Sequence, residues 1–100
     1  MSAYHVEIAP AAERDIREAF LWYADRSQLI ADAFRTEVFD AIERLGTSPL
    51  GKAADTLGNR RRVLHRFPYS VVYEVAESSV TILAVAHHRR LPDYWRAKTH

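Results

Sequence analysis

The sequence predicts a small α+β domain in which an N-terminal strand and an α-helical hairpin pack with a curved antiparallel β-meander. Two observations carry this prediction. Apolar residues recur every three or four positions between residues 10 and 46, and residues 61–87 are rich in β-branched and aromatic residues. The chain has 100 residues, 48% of them hydrophobic and 27% charged, a composition that suits one core. We therefore expect a single domain over residues 1–100.

The chain is predicted to open with a short strand and an amphipathic helix. Tyr4 to Ile8 alternates mildly in polarity, which indicates a strand. Pro10 suits the first turn of a helix, and apolar residues at helical spacing extend this helix over residues 10–25. Glu13 and Asp15 lie near its N-terminus, where carboxylates favour the helix dipole. Both are expected to be surface charges.

A second, longer helix is predicted to follow. Ser27 is a candidate N-cap, Gly46 suits the C-terminal end, and Pro49 prevents the helix from resuming. The apolar positions between them repeat at helical spacing: Ala31, Phe34, Val38, Ile42 and Leu45. Two helices joined by a short link, each with one apolar stripe, form an α-helical hairpin that lies on a flat surface.

The second half of the chain is predicted to supply that surface. Residues 50–59 contain Gly and Asn and indicate a loop. Three strands follow, at Arg61–Phe67, Tyr69–Ala76 and Val80–His87, and their short connections make them an antiparallel meander. Leu91–Thr99 has the composition of a short terminal helix. The order β-α-α-β-β-β places the hairpin on one face of the sheet and leaves part of the other face open.

Charge is distributed unevenly along the chain. Residues 1–59 carry six basic and ten acidic side chains, a net charge of −4, whereas residues 60–100 carry eight basic and three acidic ones, a net charge of +5. Clustered positive charge attracts phosphate-bearing or acidic partners; chance scatter over a solvated surface is the alternative. The chain has no cysteine, which excludes disulfides and thiolate metal sites, and no apolar run long enough to cross a membrane. We expect a cytoplasmic protein.

Five segments, in their order and spacing, resemble the RelE/ParE family of toxins from bacterial type II toxin–antitoxin systems. The segments are Ala9–Ile16, Ile42–Gly51, Phe67–Val75, Val80–Arg90 and Tyr94–Trp95. The resemblance covers almost the whole chain. It implies the fold predicted above, growth inhibition as in plasmid-stabilisation modules, and a cognate antitoxin with which a hetero-oligomer can form. It also implies that the antitoxin covers an apolar groove beside the hairpin and adds a strand to a sheet edge, either the first strand or Arg61–Phe67.

The resemblance implies two alternative targets. ParE-like members poison DNA gyrase, whereas RelE-like members are metal-independent endoribonucleases that cut mRNA on the ribosome. The long hairpin favours the ParE-like subgroup, so gyrase is the expected target and RelE-like cleavage is the alternative. A third hypothesis is a non-toxic relic that retains only antitoxin binding. Fold alone does not separate these functions.

Candidate site residues follow from the resemblance and from side-chain chemistry. For an endoribonuclease, the resemblance implies a catalytic trio of Arg66, His88 and Tyr94, in which the arginine binds phosphate and the others transfer protons. For a gyrase poison, the basic residues form a recognition surface: Arg60, Arg61, Arg62, His87, Arg89 and Arg90. Because neighbours on a strand point to opposite faces, only one of His87 and His88 can face a given site. An alternative interpretation makes one histidine a core-edge residue bonded to backbone and the other a solvated one.

No cofactor or metal is expected. The five histidines show no helical pairing or loop cluster of the kind that binds zinc. The sequence also has no glycine-rich loop that would cradle the phosphates of a nucleotide. The expected partners are therefore macromolecules: the antitoxin, and either DNA gyrase or ribosome-bound mRNA.

Overall fold

The computed structural model describes residues 4–51 and 53–89. The elements, in chain order, are β1 (His5–Ile8), α1 (Pro10–Ala24), α2 (Gln28–Leu45), a short 3-10 turn (Pro49–Gly51), β2 (Asn59–Val63), β3 (Tyr69–Ala76) and β4 (Ser79–His87). The predicted α+β class and the order β-α-α-β-β-β are confirmed. The terminal helix expected at Leu91–Thr99 lies outside the described residues. Within the described part, no helix is both long and apolar enough to span a bilayer.

The four strands form one mixed sheet in the order β1-β4-β3-β2. β2, β3 and β4 make the predicted antiparallel meander, and β1 adds to it parallel to β4, with Ile8 opposite Ile82. The pairing of β3 with β4 contains a bulge, because Val72 lies opposite Ala84 whereas Tyr73 lies opposite Ile82. One extra residue in β4 therefore reverses which backbone groups of that strand face outward.

Helix α1 begins directly after β1 and supplies a partner for the far half of β4. Pro10 occupies the first turn, as expected, and Glu13 is exposed there. Asp15, in contrast, is only 6% exposed, and its Oδ2 accepts the backbone N–H of Val85 at 3.0 Å. The expectation of a surface charge at Asp15 is therefore wrong. Its carboxylate takes the place of a neighbouring strand beyond the point where β1 ends, and so satisfies a buried donor.

Helix α2 closes the core over the same face of the sheet. The predicted N-cap is confirmed, because Ser27 accepts the N–H of Ile30 through its Oγ at 3.3 Å. The predicted apolar stripe is buried, and it packs on the sheet residues Val71, Tyr73, Val80 and Ile82. Tyr73 is fully buried and donates its hydroxyl to the carbonyl of Pro49 at 2.7 Å, which ties the 3-10 turn to the sheet. Burial raises the pKa of Tyr73 above its ordinary value of 10.0, against the lowering effect of Arg60 and Arg62.

The predicted strand at Arg61–Phe67 is wrong at both ends, since β2 runs over Asn59–Val63. The reason for its early end is a contact from α2. The carboxylate of Glu37 accepts the backbone N–H groups of both His65 and Arg66, with its Oε1 at 3.2 Å from the nitrogen of Arg66. Backbone donors that bind a side chain in this way leave the regular ladder, so the chain turns away from it.

Replacing Asp15 tests whether its carboxylate completes the sheet. Asp15→Ala leaves the N–H of Val85 buried without its acceptor, so we expect the free energy of unfolding to fall by about 1–3 kcal/mol. Asp15→Asn keeps an acceptor oxygen and should lose less. The measurement is urea unfolding, with Glu13→Ala as the exposed control, expected within about 0.5 kcal/mol of wild type. Equal stability of Asp15→Ala and Glu13→Ala would show that the contact contributes nothing.

Replacing Glu37 tests how the loop after β2 is held. Its side chain is 13% exposed, and hydrogen bonds to a carboxylate are about twice as strong as those to a neutral acceptor. We expect Glu37→Gln to speed amide hydrogen exchange at His65 and Arg66 by about tenfold, because local opening of the loop costs less. The matched control is Asp40→Asn, because Asp40 is an exposed carboxylate that lines the same groove between α2 and the β2 segment as Glu37 does. Unchanged exchange in Glu37→Gln would exclude the carboxylate as the anchor.

Candidate functional site

One end of the sheet gathers basic residues from two separate segments. We call this surface the rim; it consists of the β2–β3 loop, residues 64–68, and of the last residue of β4 with the two residues after it, 87–89. Tyr69 lies opposite His87 in the sheet, and the N–H of His88 donates to the carbonyl of Pro68 at 2.8 Å. These bonds hold the two segments side by side. Arg66 and His88, which the sequence analysis singled out together, therefore lie at the same end of the sheet.

Arg66 is fixed through its backbone while its side chain reaches solvent. Glu37 binds the N–H of Arg66 and also lies 3.6 Å from its Nε, although the arginine side chain is 66% exposed. An ion pair with so exposed a partner adds little to stability because solvent screens it. Its consequence is geometric: the base of the side chain is anchored, and the guanidinium remains accessible at the rim.

His87, the last residue of β4, and His88 directly after it have different surroundings, because successive side chains of an extended chain point to opposite faces. The ring of His87 packs edge-on against Tyr69, with 4.9 Å between ring centroids, and its Nδ1 accepts the N–H of Arg89 at 3.0 Å. His88 is exposed, and its Nε2 lies 2.9 Å from the Oγ of Ser70. His87 thus belongs to the helix-covered face, and His88 to the opposite face together with Ser70.

The three arginines of β2 do not form one patch. Arg60 lies opposite Tyr73 and Arg62 opposite Val71, so both are on the face that carries the helices. Arg61 lies opposite Val72 and is on the other face. The proposed recognition set is therefore divided between two faces of the sheet. Two further members of the predicted sites, Arg90 and Tyr94, lie outside the described residues.

An aromatic cluster lies behind the rim, and no local pattern in the sequence predicts it. Its members are Tyr23, Phe34, Phe67 and Tyr69, whose rings pack at angles of 37–84° with centroids 5.2–6.5 Å apart. Such pairs contribute about 0.5–1.5 kcal/mol each beyond their burial. Burial also raises the pKa of Tyr23. The cluster joins α1, α2 and the β2–β3 loop, so the rim rests on a rigid support.

A second surface lies between the two helices and the end of β1. It is an apolar groove of about 330 Å³ lined by Ile8, Glu13, Ile16, Arg17, Phe20, Arg35 and Phe39. Phe39 is 42% exposed there. We call this surface the hairpin groove. It shares no residue with the rim.

The described side chains do not gather into a metal site. Over residues 4–51 and 53–89, no group of three or more His, Cys, Asp or Glu residues is close enough to hold an ion. What the rim offers instead is arginine and histidine side chains around backbone-anchored segments, an arrangement suited to binding anionic groups.

Comparison with known proteins places the chain in a family. The model of the family described as the ParE toxin of the type II toxin–antitoxin system parDE matches residues 6–92. A solved structure of the chromosomal ParDE toxin–antitoxin system from P. aeruginosa shares the fold, with 17% identity, coverage of 85% of this chain and 96% of that one, and a TM-score of 0.76. A chain of the toxin–antitoxin complex RelBE2 from Mycobacterium tuberculosis is 25% identical, with coverage of 87% and 93% and a TM-score of 0.56. No curated protein matches.

The match of the family model extends over most of the chain, from β1 to beyond the end of β4. It includes both helices, the meander and the rim. It therefore confirms the resemblance noted in the sequence. The chain belongs to the ParE toxin family of type II toxin–antitoxin systems.

Proposed function

We propose that this ParE-family chain is a growth-inhibitory toxin that poisons DNA gyrase by binding it and that is neutralised by a cognate antitoxin. The observation that carries the proposal is the rim, where accessible cationic side chains sit on a rigid support. Arg66 and Arg89 are exposed there, and the aromatic cluster and Glu37 fix the backbone beneath them. Exposed cations on a fixed frame give a binding surface both charge complementarity and little ordering cost.

Two further observations favour a binding poison over an enzyme. The hairpin is long, with 15 residues in α1 and 18 in α2, which the resemblance associates with ParE-like members. Among the described residues, the arginines of β2 are also divided between the two faces of the sheet. Catalysis needs acid, base and cation within reach of one reacting group, whereas recognition tolerates a distributed surface.

Ribosome-dependent cleavage of mRNA is the second candidate function. The observation that favours it is that Arg66 and His88 lie at the same end of the sheet, joined through the bond between His88 and Pro68. An arginine matches the oxygens of a phosphate, and an imidazole can transfer protons without a metal. The two functions predict different damage in the cell, so one experiment separates them from each other and from the relic.

We propose the hairpin groove as the docking surface of the antitoxin. The groove runs into the end of β1 through Ile8, so an amphipathic helix in the groove can continue as a strand along the edge of β1. His5 donates its N–H to the carbonyl of Ser78, directly before β4, and Ala9 donates to Ile82 of β4, which leaves the alternating N–H groups of Val6 and Ile8 pointing to the outer side. Arg17 and Arg35 flank the groove and favour acidic residues beside the apolar face of that helix.

The groove proposal predicts a selective loss of antitoxin binding. We expect Phe39→Asp to weaken binding of the antitoxin from the neighbouring reading frame at least tenfold, because a carboxylate would be buried against apolar side chains. Leu29→Asp is the matched control, since Leu29 is 81% exposed and does not line the groove. Isothermal titration calorimetry measures the affinity of both variants for the antitoxin. Wild-type affinity of Phe39→Asp, or an equal loss in Leu29→Asp, would contradict the groove as the docking site.

Induction of the chain without antitoxin tests the target. We expect growth arrest with DNA breaks and an SOS response, and relief of both by the double change Arg66→Ala and Arg89→Ala. Arg14→Ala, an exposed arginine of α1, is the control and should leave the arrest unchanged. Early loss of translation with cleaved mRNA would support the endoribonuclease instead. Normal growth with intact antitoxin binding would support the relic.

A further inference from the structure

Ser70 carries a buried hydroxyl that has no role in the proposed function. It lies in β3 and is 2% exposed, on the face of the sheet away from the helices. A buried hydroxyl must donate its proton or lose about 1–3 kcal/mol. Among the described residues, the acceptor within reach of Ser70 Oγ is the Nε2 of His88, at 2.9 Å. The hydroxyl proton is therefore assigned to this bond.

We propose that Ser70 is a positioning residue that holds His88 as the Nδ1–H tautomer, so that His88 presents a fixed hydrogen-bond donor at the rim. In a neutral imidazole, one ring nitrogen carries the proton and the other accepts, and the bond made by one nitrogen decides the state of the other. If Ser70 donates to Nε2, the proton of the ring is on Nδ1. The proposal rests on the proposed function in one respect, namely that the rim contacts the target.

The alternative tautomer is disfavoured by an asymmetry of burial. With the proton on Nε2, His88 would donate to Ser70, and the buried hydroxyl proton would have no acceptor among the described residues. His88 itself is exposed, so water can satisfy Nδ1 whether that nitrogen donates or accepts. Only the buried hydroxyl of Ser70 would lose a hydrogen-bond partner, and this energetic cost favours the tautomer of His88 in which Ser70 donates.

The backbone completes the fixation of this ring. The N–H of His88 donates to the carbonyl of Pro68 at 2.8 Å, so the residue is held at its backbone by the β2–β3 loop and at its Nε2 by β3. Ser70 itself is held in the sheet between Val63 of β2 and Ala86 of β4. A residue held at its backbone and at one ring nitrogen loses little freedom when it binds a partner, which lowers the entropic cost of binding.

This arrangement assigns His88 a binding role. Nδ1 carries a proton in the neutral Nδ1–H ring and also in the doubly protonated ring, so it donates in both states. It has no free lone pair with which to abstract a proton, and Nε2 is occupied by Ser70. In this state, His88 donates a hydrogen bond from Nδ1 to an acceptor of the target, and it is unsuited to act as a general base.

Long-range ¹H–¹⁵N correlation spectra of the full chain, labelled in histidine, test the tautomer. The spectra are recorded near pH 9, well above the ordinary imidazole pKa of about 6.5, with His88 assigned from His88→Asn. We expect the Nδ1–H pattern for His88 in wild type and in Ser70→Thr, which keeps the hydroxyl, and its loss in Ser70→Ala. An Nε2–H pattern in wild type, or no change in Ser70→Ala, would overturn the proposal.

A double-mutant cycle on growth inhibition tests the positioning role. Ser70→Ala and His88→Ala should each raise the toxin level needed for arrest by about tenfold, the ratio expected for one lost hydrogen bond. Because Ser70 acts through His88, the double variant should be no weaker than His88→Ala, with antitoxin affinity unchanged throughout. Additive losses would overturn the positioning role. If wild type itself does not arrest growth, the proposed function fails, and the spectra still decide the state of His88.

Discussion

Strand β4 must find hydrogen-bond partners on both of its sides, and this requirement organises the rest of the fold. β3 pairs with it along its whole length, but β1 ends at Ile8, opposite Ile82. Beyond that point the bulge turns the N–H of Val85 outward, and α1 lies across the gap with Asp15 as the acceptor. The helix therefore has to start immediately after β1 and to follow β4 toward its end. A buried backbone N–H without an acceptor would lower the free energy of unfolding by a large fraction of its total for a small domain.

The position of α1 fixes the two surfaces for which we propose functions. Its far end brings Tyr23 into the aromatic cluster, which supports the β2–β3 loop and so the rim. Its middle turns, with Ile16 and Phe20, form one wall of the hairpin groove beside Ile8. We therefore propose that the antitoxin and the target contact separate surfaces of the chain.

Local patterns in the sequence were sufficient for the elements and insufficient for the contacts between them. Helical periodicity, Pro10 in the first turn of α1 and the N-cap Ser27 of α2 predict both helices, since these signals involve residues close in sequence. The end of β2 was misplaced because its cause, Glu37, lies 28 residues before His65. The position of Asp15 near the start of α1 predicts a charge that complements the helix dipole, whereas its partner, Val85, is 70 residues away. Long-range side-chain bonds to backbone leave no periodic trace in a sequence.

The candidate site shows the same division between local and distant information. Alternation along a strand correctly separated His87 from His88, and the same rule, applied to Arg60, Arg61 and Arg62, would have divided the arginines between two faces. The partnership of Ser70 with His88 depends on the register of β3 against β4, which no local pattern specifies. The family resemblance predicts that Arg66 and His88 belong to one site, and they lie at the same end of the sheet. The spacing of these residues in the sequence does not by itself predict that they are close.

We propose that neutralisation and target binding use different surfaces of one fold. Residue-resolved amide hydrogen exchange, on the chain alone and on its complex with the antitoxin, distinguishes the two surfaces. We expect slower exchange at Val6 and Ile8 in the complex, because an added strand would occupy the open edge of β1, and unchanged rates at His65, Arg66 and His88. Slower exchange at those three rim amides, with Val6 and Ile8 unaffected, would contradict this proposal.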